Sequence, residues 1–168
     1  MKALIAAGGR ATRLRPITWT HNKHLIPLAN RPMLWYVIQK ITDAGIRDII
    51  VNVNPGEVKY MSENLGDGSR FGAKITYLEQ RGGAKGLAHV VANAEEHLRG
   101  ERFLFFLGDN IILGSINGFV DRFKNEGLDC MIALSRVKDP HRFGVAEFNP
   151  DGTLKRTIEN PKDPPSPF

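Results

Sequence analysis

Cysteine is almost absent: Cys130 is the single thiol among 168 residues. No disulfide can form within the chain, and a reducing cytoplasm suits it. Lying in the apolar run Cys130-Met131-Ile132-Ala133-Leu134, it is expected in the core. Long hydrophobic runs are lacking too. None approaches the roughly 18 residues of a membrane span, and Ala3-Leu4-Ile5-Ala6-Ala7 meets glycine and arginine too soon for a signal peptide, so no membrane is expected. The phosphate loop G-x-x-x-x-G-K-[ST] is missing. The dinucleotide fingerprint fails because Gly8-Gly9 is followed by Arg10 and Ala11, and the kinase signatures do not occur. P-loop hydrolysis and hydride transfer therefore lose their support. His21 and His24 are neighbours on a loop, while His89, His97 and His141 are scattered, so no metal cluster of histidines and thiols is expected. No nucleophile elbow precedes a Ser/His/Asp set. Long basic runs are also wanting. The 23 Lys and Arg against 18 acids give a net charge of +5, but it is dispersed and has no interleaved aromatics. Small polyanions fit this balance better than nucleic acid, which would bind with strong salt sensitivity.

What is present is ordinary for a globular α/β chain: 42% hydrophobic and 24% charged residues, enough for one core. Strand-like and helix-like segments alternate. The run 3–7 reads as a buried strand. Residues 32–41 read as a helix, with proline near the start and Gly45 beyond the end. Strand 48–53, helix 57–65, strand 74–79 and helix 86–98 follow, the last with Leu87, Val90, Val91, Ala94 and Leu98 at helical spacing. Phe103-Leu104-Phe105-Phe106-Leu107 is an unbroken apolar run, expected as a central strand covered on both faces. A helix over 116–124 and a strand over 131–136 come next. Residues 144–148 and 153–159 then form a late β-hairpin around Asn149-Pro150-Asp151-Gly152. The expected fold is a doubly wound, mostly parallel Rossmann-like sheet with ligands at the carboxyl ends of its strands. One core domain is expected over 1–160, with a proline-rich tail or linker over 161–168.

The stretch from Gly8 to Pro27, GGRATRLRPITWTHNKHLIP, leaves the first strand. Its two glycines permit a tight turn and close approach to a ligand. Arg10, Arg13, Arg15 and Lys23, with Thr12 and Thr18, load that turn with cations and hydroxyls suited to a polyphosphate. A basic surface loop is the alternative. Asp109, in Leu107-Gly108-Asp109-Asn110, follows the most apolar strand. A carboxylate at that rim facing a polyphosphate suits Mg2+, which takes one or two carboxylates plus substrate oxygens; a turn cap is the alternative. Gln80 ends a strand and carries the donor and acceptor needed to read a base edge, with glycines up to Gly86 close by. Gly144 and Glu159 sit on the two arms of the hairpin, where a carboxylate could accept sugar hydroxyls. Taken alone, each of these two pairs reads as structural rather than functional.

Together these residues resemble the sugar-1-phosphate nucleotidyltransferases, closest to the glucose-1-phosphate thymidylyltransferases among them. The opening stretch is similar to G-G-x-G-T-R-L-x-P-x-T followed by K-x-L-x-P, matched at Gly8, Gly9, Thr12, Arg13, Leu14, Pro16, Thr18, Lys23, Leu25 and Pro27. Leu65-Gly66-Asp67-Gly68-Ser69, Gly86-Leu87-Ala88, Leu107-Gly108-Asp109-Asn110 and Phe143-Gly144-Val145 are further landmarks in order. The resemblance implies condensation of a nucleoside triphosphate, dTTP or UTP, with a sugar 1-phosphate such as glucose 1-phosphate, giving a nucleotide sugar and pyrophosphate. It implies that Arg13 and Lys23 are catalytic and hold the triphosphate with Gly8, Gly9 and Thr12. Gln80 and Gly86 would read the pyrimidine, Asp109 would bind Mg2+, and Asn110, Gly144 and Glu159 would hold the sugar phosphate. It also implies a possible homo-oligomer and a chain cut short at its C-terminus. The pattern departs at Ala11, where the family has glycine, at Asn160, where it has lysine, and in a longer turn between Gln80 and Gly86. A non-catalytic nucleotide- or nucleotide-sugar-binding module is the alternative function.

Overall fold

The computed structural model describes residues 1–83 and 85–168. The chain divides into two compact units, Met1–Lys124 and Asn125–Phe168.

The first unit is built on the strand that the apolar start dictates. β1 (Lys2–Ala6) buries Ala3, Leu4 and Ile5 completely. Removing a Leu or Ile side chain from water is worth about 1.5–3 kcal/mol, which places this strand in the interior. After the loop that follows it, β2 (Pro27–Leu28) and β3 (Arg31–Pro32) form a short antiparallel ladder leading into α1 (Met33–Asp43). Leu34, Val37, Ile38 and Ile41 make one buried stripe on α1, at the spacing that faces a sheet. β4 (Asp48–Val53) pairs in parallel with β1, Ala3 opposite Ile49. α2 (Val58–Leu65) ends at Gly66, where φ is +72°, and β5 (Lys74–Glu79) pairs in parallel with β4. α3 (Leu87–Asn93) and α4 (Glu95–Leu98) lead to β6 (Phe103–Leu107), which pairs in parallel with β1 on its other side. α5 (Asn117–Asn125) follows.

The strand order is β5-β4-β1-β6. The chain steps outward from β1 to β4 and β5, then crosses back to β6. The reversal falls between β1 and β6, and ligands of such sheets bind at the carboxyl ends flanking a reversal of this kind. α1 and α2 cover one face with Ile5, Ile49, Val51, Met61 and Leu65. α3 and α4 cover the other with Leu4, Ile50, Val90, Ala94 and Leu98. The doubly wound parallel sheet expected from the sequence is present.

Four local expectations are corrected. The apolar run 103–107 is an edge strand among the described residues, and Phe103, Leu104, Phe105 and Leu107 are only half-buried. The expected single helix over 86–98 breaks at Ala94, and Leu87 is 52% exposed. Asn93 marks the break; asparagine competes for backbone groups and weakens a helix interior, and its side chain bonds outside the helix. Residues 131–136 form no strand, Ile132 and Leu134 are exposed, and so is Cys130. β propensity needs a partner strand to express itself, and no strand pairs with this run among the described residues.

In the second unit β7 (Gly144–Phe148) and β8 (Leu154–Glu159) make the expected antiparallel hairpin, with Gly144 opposite Glu159 and a bulge at Glu147 and Phe148. Asp151 accepts from the Thr153 amide at 2.9 Å and its hydroxyl at 2.6 Å, the local bonding that favours aspartate in turns. The proline-rich end lies along β7: Ala146 N–H donates to Phe168 O at 2.7 Å, and Ser166 Oγ donates to Ala146 O at 2.6 Å. Among the described residues no helix is long and apolar enough to cross a membrane.

Candidate active site

The loop after β1 and the loop after β6 leave the sheet side by side, because their strands are neighbours. Gly108 N–H donates to Ala6 O at 2.9 Å and holds the two exits together. Gly9 turns with φ +101°, a conformation open to glycine and costly for other residues. Asn54 brackets this turn: its Oδ1 accepts the Gly9 amide at 2.7 Å, and its Nδ2 donates to Gly9 O at 3.3 Å and to Glu57 Oε2 at 3.0 Å. Glu57 Oε2 also accepts from Asn22 Nδ2 at 2.7 Å. Asn54, Glu57 and Asn22 thus tie the start of the loop to its return, and none was singled out from the sequence.

The loop descends through three short 3-10 turns, Thr12–Leu14, Ile17–Trp19 and Lys23–Leu25. Ala11 takes the left-handed conformation, φ 43° and ψ 44°, where a side-chain-bearing residue costs roughly 1–2 kcal/mol. Its carbonyl accepts the Thr18 hydroxyl at 2.8 Å. Arg10, Arg13 and Arg15 are exposed along this stretch with Thr12. Loop and β6 meet at Lys23, whose Nζ lies 2.6 Å from Asp109 Oδ2. Burial pushes the Asp109 carboxyl up, but the hydrogen bond and charge of Lys23 outweigh it and hold it below its ordinary value.

His24, next to Lys23 in the chain, feels the charges of both members of this pair and is 1% exposed. Burial, reinforced by the Lys23 charge and only partly offset by Asp109, lowers its pKa to about 4. Asn22 Oδ1 accepts the His24 amide at 2.9 Å and faces His24 Nδ1 at 2.8 Å. Since the Asn22 oxygen can only accept, Nδ1 carries the proton of the neutral ring. Gly108 packs on this imidazole: a Cβ there would come 2.8 Å from His24 Cδ2 and 3.0 Å from Ala6 O.

Gln80, just past β5, is 3% exposed, and a Cβ on Gly8 would sit 3.2 Å from its Oε1. It therefore lies beside the glycine turn, lining a cleft of about 680 Å³ with Pro55, Tyr77, His89 and Asn93. Gly86, φ +92°, precedes α3. Residue 84, inside the expected longer turn between Gln80 and Gly86, lies outside the described residues. Asn110 is exposed and its N–H donates to Leu107 O at 3.1 Å.

The structure thus brings Gly8 to Gln80 and Lys23 to Asp109, with Gly9, Thr12, Arg13 and Asn110 on the same two loops. Gly144 and Glu159 belong to the second unit, where they face each other across the hairpin; a Cβ on Gly144 would meet Glu159 Oε2 at 2.9 Å. Asn160 there adopts φ 45° and donates its N–H to Phe143 O at 3.0 Å. Among the described residues no three His, Cys, Asp or Glu side chains form a metal cluster. Asp109 alone supplies one hard oxygen, a donor set that fits Mg2+ shared with phosphate oxygens.

Residues 2–168 match the family model described as nucleotidyl transferase. The chain is 44% identical to a glucose-1-phosphate thymidylyltransferase from Streptomyces antibioticus, covering 99% of this chain and 46% of that protein. It is 37% identical to a low-salt glycan biosynthesis nucleotidyltransferase from Haloferax volcanii, covering 99% and 46%. The chain therefore spans about half the length of these curated relatives. A structure from Bacillus anthracis, described as a glucose-1-phosphate thymidylyltransferase in complex with a sucrose, superposes with a TM-score of 0.92 at 35% identity, over 99% of this chain and 67% of that one. A UDP-glucose pyrophosphorylase complexed with UDP-glucose shares the fold, with a TM-score of 0.82 at 20% identity.

Proposed function

Because this chain belongs to the nucleotidyl transferase family, we propose that it carries the nucleotide-binding core of an enzyme joining dTTP or UTP to a sugar 1-phosphate, with glucose 1-phosphate the favoured acceptor. The observation that carries this reading is the meeting of Lys23 and Asp109 beside the glycine turn, at the point where the sheet reverses its order.

In the reaction a sugar phosphate oxygen attacks the α-phosphorus in line, the bond to the β-phosphate bridging oxygen breaks, and pyrophosphate leaves. No covalent intermediate with the protein is required, so its contribution is positioning and charge neutralisation. The Gly8 and Gly9 turn lets the backbone approach the triphosphate, with Thr12 adding a hydroxyl. Arg13 and Lys23 neutralise charge at the α-phosphate, Lys23 exchanging its carboxylate partner for phosphate oxygens. Asp109, thereby released, is the residue that would hold Mg2+, which supplies further neutralisation of the phosphates when bound. Gln80, with the backbone at Gly86, takes the pyrimidine edge. Asn110 is assigned to the sugar phosphate.

Pyrophosphate release from dTTP or UTP with glucose 1-phosphate and Mg2+ tests this reading. Release that depends on the sugar phosphate supports it. Tight nucleotide binding with no release favours the non-catalytic module, and neither binding nor release overturns both.

A further inference from the structure

Beside Gln80 lies a chain of amides whose polarity is set by the backbone. Asn93, at the end of α3, accepts the Arg81 amide N–H on Oδ1 at 3.3 Å and donates from Nδ2 to Glu79 O at 3.0 Å. A backbone N–H can only donate and a backbone carbonyl can only accept, so Asn93 has one possible orientation. Its Nδ2 also donates to Oδ1 of Asn52, at 2.8 Å. Asn52 is fully buried in β4, so its own orientation follows. Its Nδ2 then faces Gln80 Oε1 at 3.5 Å, a long contact, while Gln80 Nε2 lies 3.1 Å from His89 Nδ1. With Oε1 turned to a donor, Nε2 must donate to His89, and His89 Nδ1 must carry the lone pair.

We propose that Asn93, Asn52 and His89 are positioning residues that lock the Gln80 amide in one orientation and so make the cleft select pyrimidines with a 4-keto group over those with a 4-amino group. The proposal rests on the nucleotide-binding reading above and deepens it. An amide oxygen carries two acceptor sites and the amide nitrogen two donor sites. The relay engages one of each, leaving Gln80 one acceptor and one donor for a base. Uracil and thymine present N3–H and O4, a donor and an acceptor, which complement that pair. Cytosine presents N3 and an N4 amino group, the reverse. A Gln80 amide rotated end for end would prefer cytosine, and the relay holds it against that rotation. The oxygen and nitrogen ends of the amide are nearly equal in size, so shape alone would not choose between its two orientations.

Calorimetric titration of the chain with dTTP, UTP and CTP, each with Mg2+, tests this. A two-bond base contact discriminates by roughly tenfold or more, so the chain should bind dTTP and UTP at least about tenfold more tightly than CTP. In Asn93→Asp a carboxylate can no longer donate to Asn52. Asn52 and Gln80 then turn over in succession, and the preference should vanish or reverse. His89→Phe removes the acceptor at the other end and should reduce the ratio towards one. Nitrogen-15 spectra of the unaltered chain give a second readout: His89 should be the tautomer protonated on Nε2. A ratio unchanged in both variants, a chain that binds nucleotides without preference, or a His89 protonated on Nδ1 would each overturn the relay and leave nucleotide binding standing. Absence of binding by all three nucleotides would overturn the relay together with the proposed function.

Discussion

Lowering the pH should destabilise the floor of the site through His24. The folded chain holds this imidazole near pKa 4, against an ordinary value of 6.5, chiefly by burial. The unfolded chain therefore binds the proton first, and the native state binds it only when the pH reaches about 4. Stability from this residue is complete above about pH 6.5 and is lost as pH falls through the interval below it. At pH 5 the unfolded imidazole is almost wholly charged and the folded one almost wholly neutral, a difference of about 2 kcal/mol; the full shift is worth about 3 kcal/mol at lower pH. That is a sizeable part of the 5–15 kcal/mol typical of a domain. Asp109, Glu147 and Asp151 are held below their ordinary values by their partners, so they keep their charge through most of this interval. Urea unfolding followed by tryptophan fluorescence, repeated between about pH 8 and 5, measures the slope. His24→Asn keeps a polar group facing Asn22 and does not titrate, so its slope should be flatter by about 2 kcal/mol over the same interval. Parallel slopes for the two proteins would refute the assignment.

Arg13→Ala should cost about 3 kcal/mol in transition-state stabilisation, roughly a hundredfold in kcat, as loss of one preorganised donor does; an unchanged rate would remove Arg13 from the site. Asp109→Asn should raise the Mg2+ concentration needed for half-maximal turnover and free Lys23 of its partner, and full activity at low Mg2+ would exclude Asp109 as a ligand. Gly108→Ala would force a Cβ to 2.8 Å from His24 Cδ2 and 3.0 Å from the Ala6 carbonyl. Overpacking of this kind costs about 1–3 kcal/mol, readable as a drop in the denaturation midpoint, whereas equal stability would show that the floor yields freely.

The placement of β1 and the turn beyond it could be read in the sequence, because the apolar run Ala3-Leu4-Ile5 seeks burial and the two glycines that soon follow mark the exit from the strand. The contact between Lys23 and Asp109, 86 residues apart, was legible only through the rule that strand carboxyl ends gather ligands. Asn54, Glu57 and Asn22 could not be picked out, since polar side chains in loops are common and only the folded turn shows which ones bond Gly9. Asn52 left a trace as the polar residue inside the apolar run DIIVNV, though its partner Asn93 sits on an ordinary helix. The runs at 103–107 and 131–136 show the opposite failure. Apolar character says that a segment seeks cover, but a strand exists only where a neighbour supplies hydrogen bonds. That is why β6 stands at an edge and residues 131–136 form no strand.

Titration of dTTP with Mg2+ into the chain and into Lys23→Ala reads out whether the loop after β1 is a triphosphate site. Saturable one-to-one binding, at least about tenfold weaker in the variant through loss of a charge-assisted contact, is the expected result. Equal affinity in the two proteins would place the triphosphate elsewhere and contradict the role given to that loop.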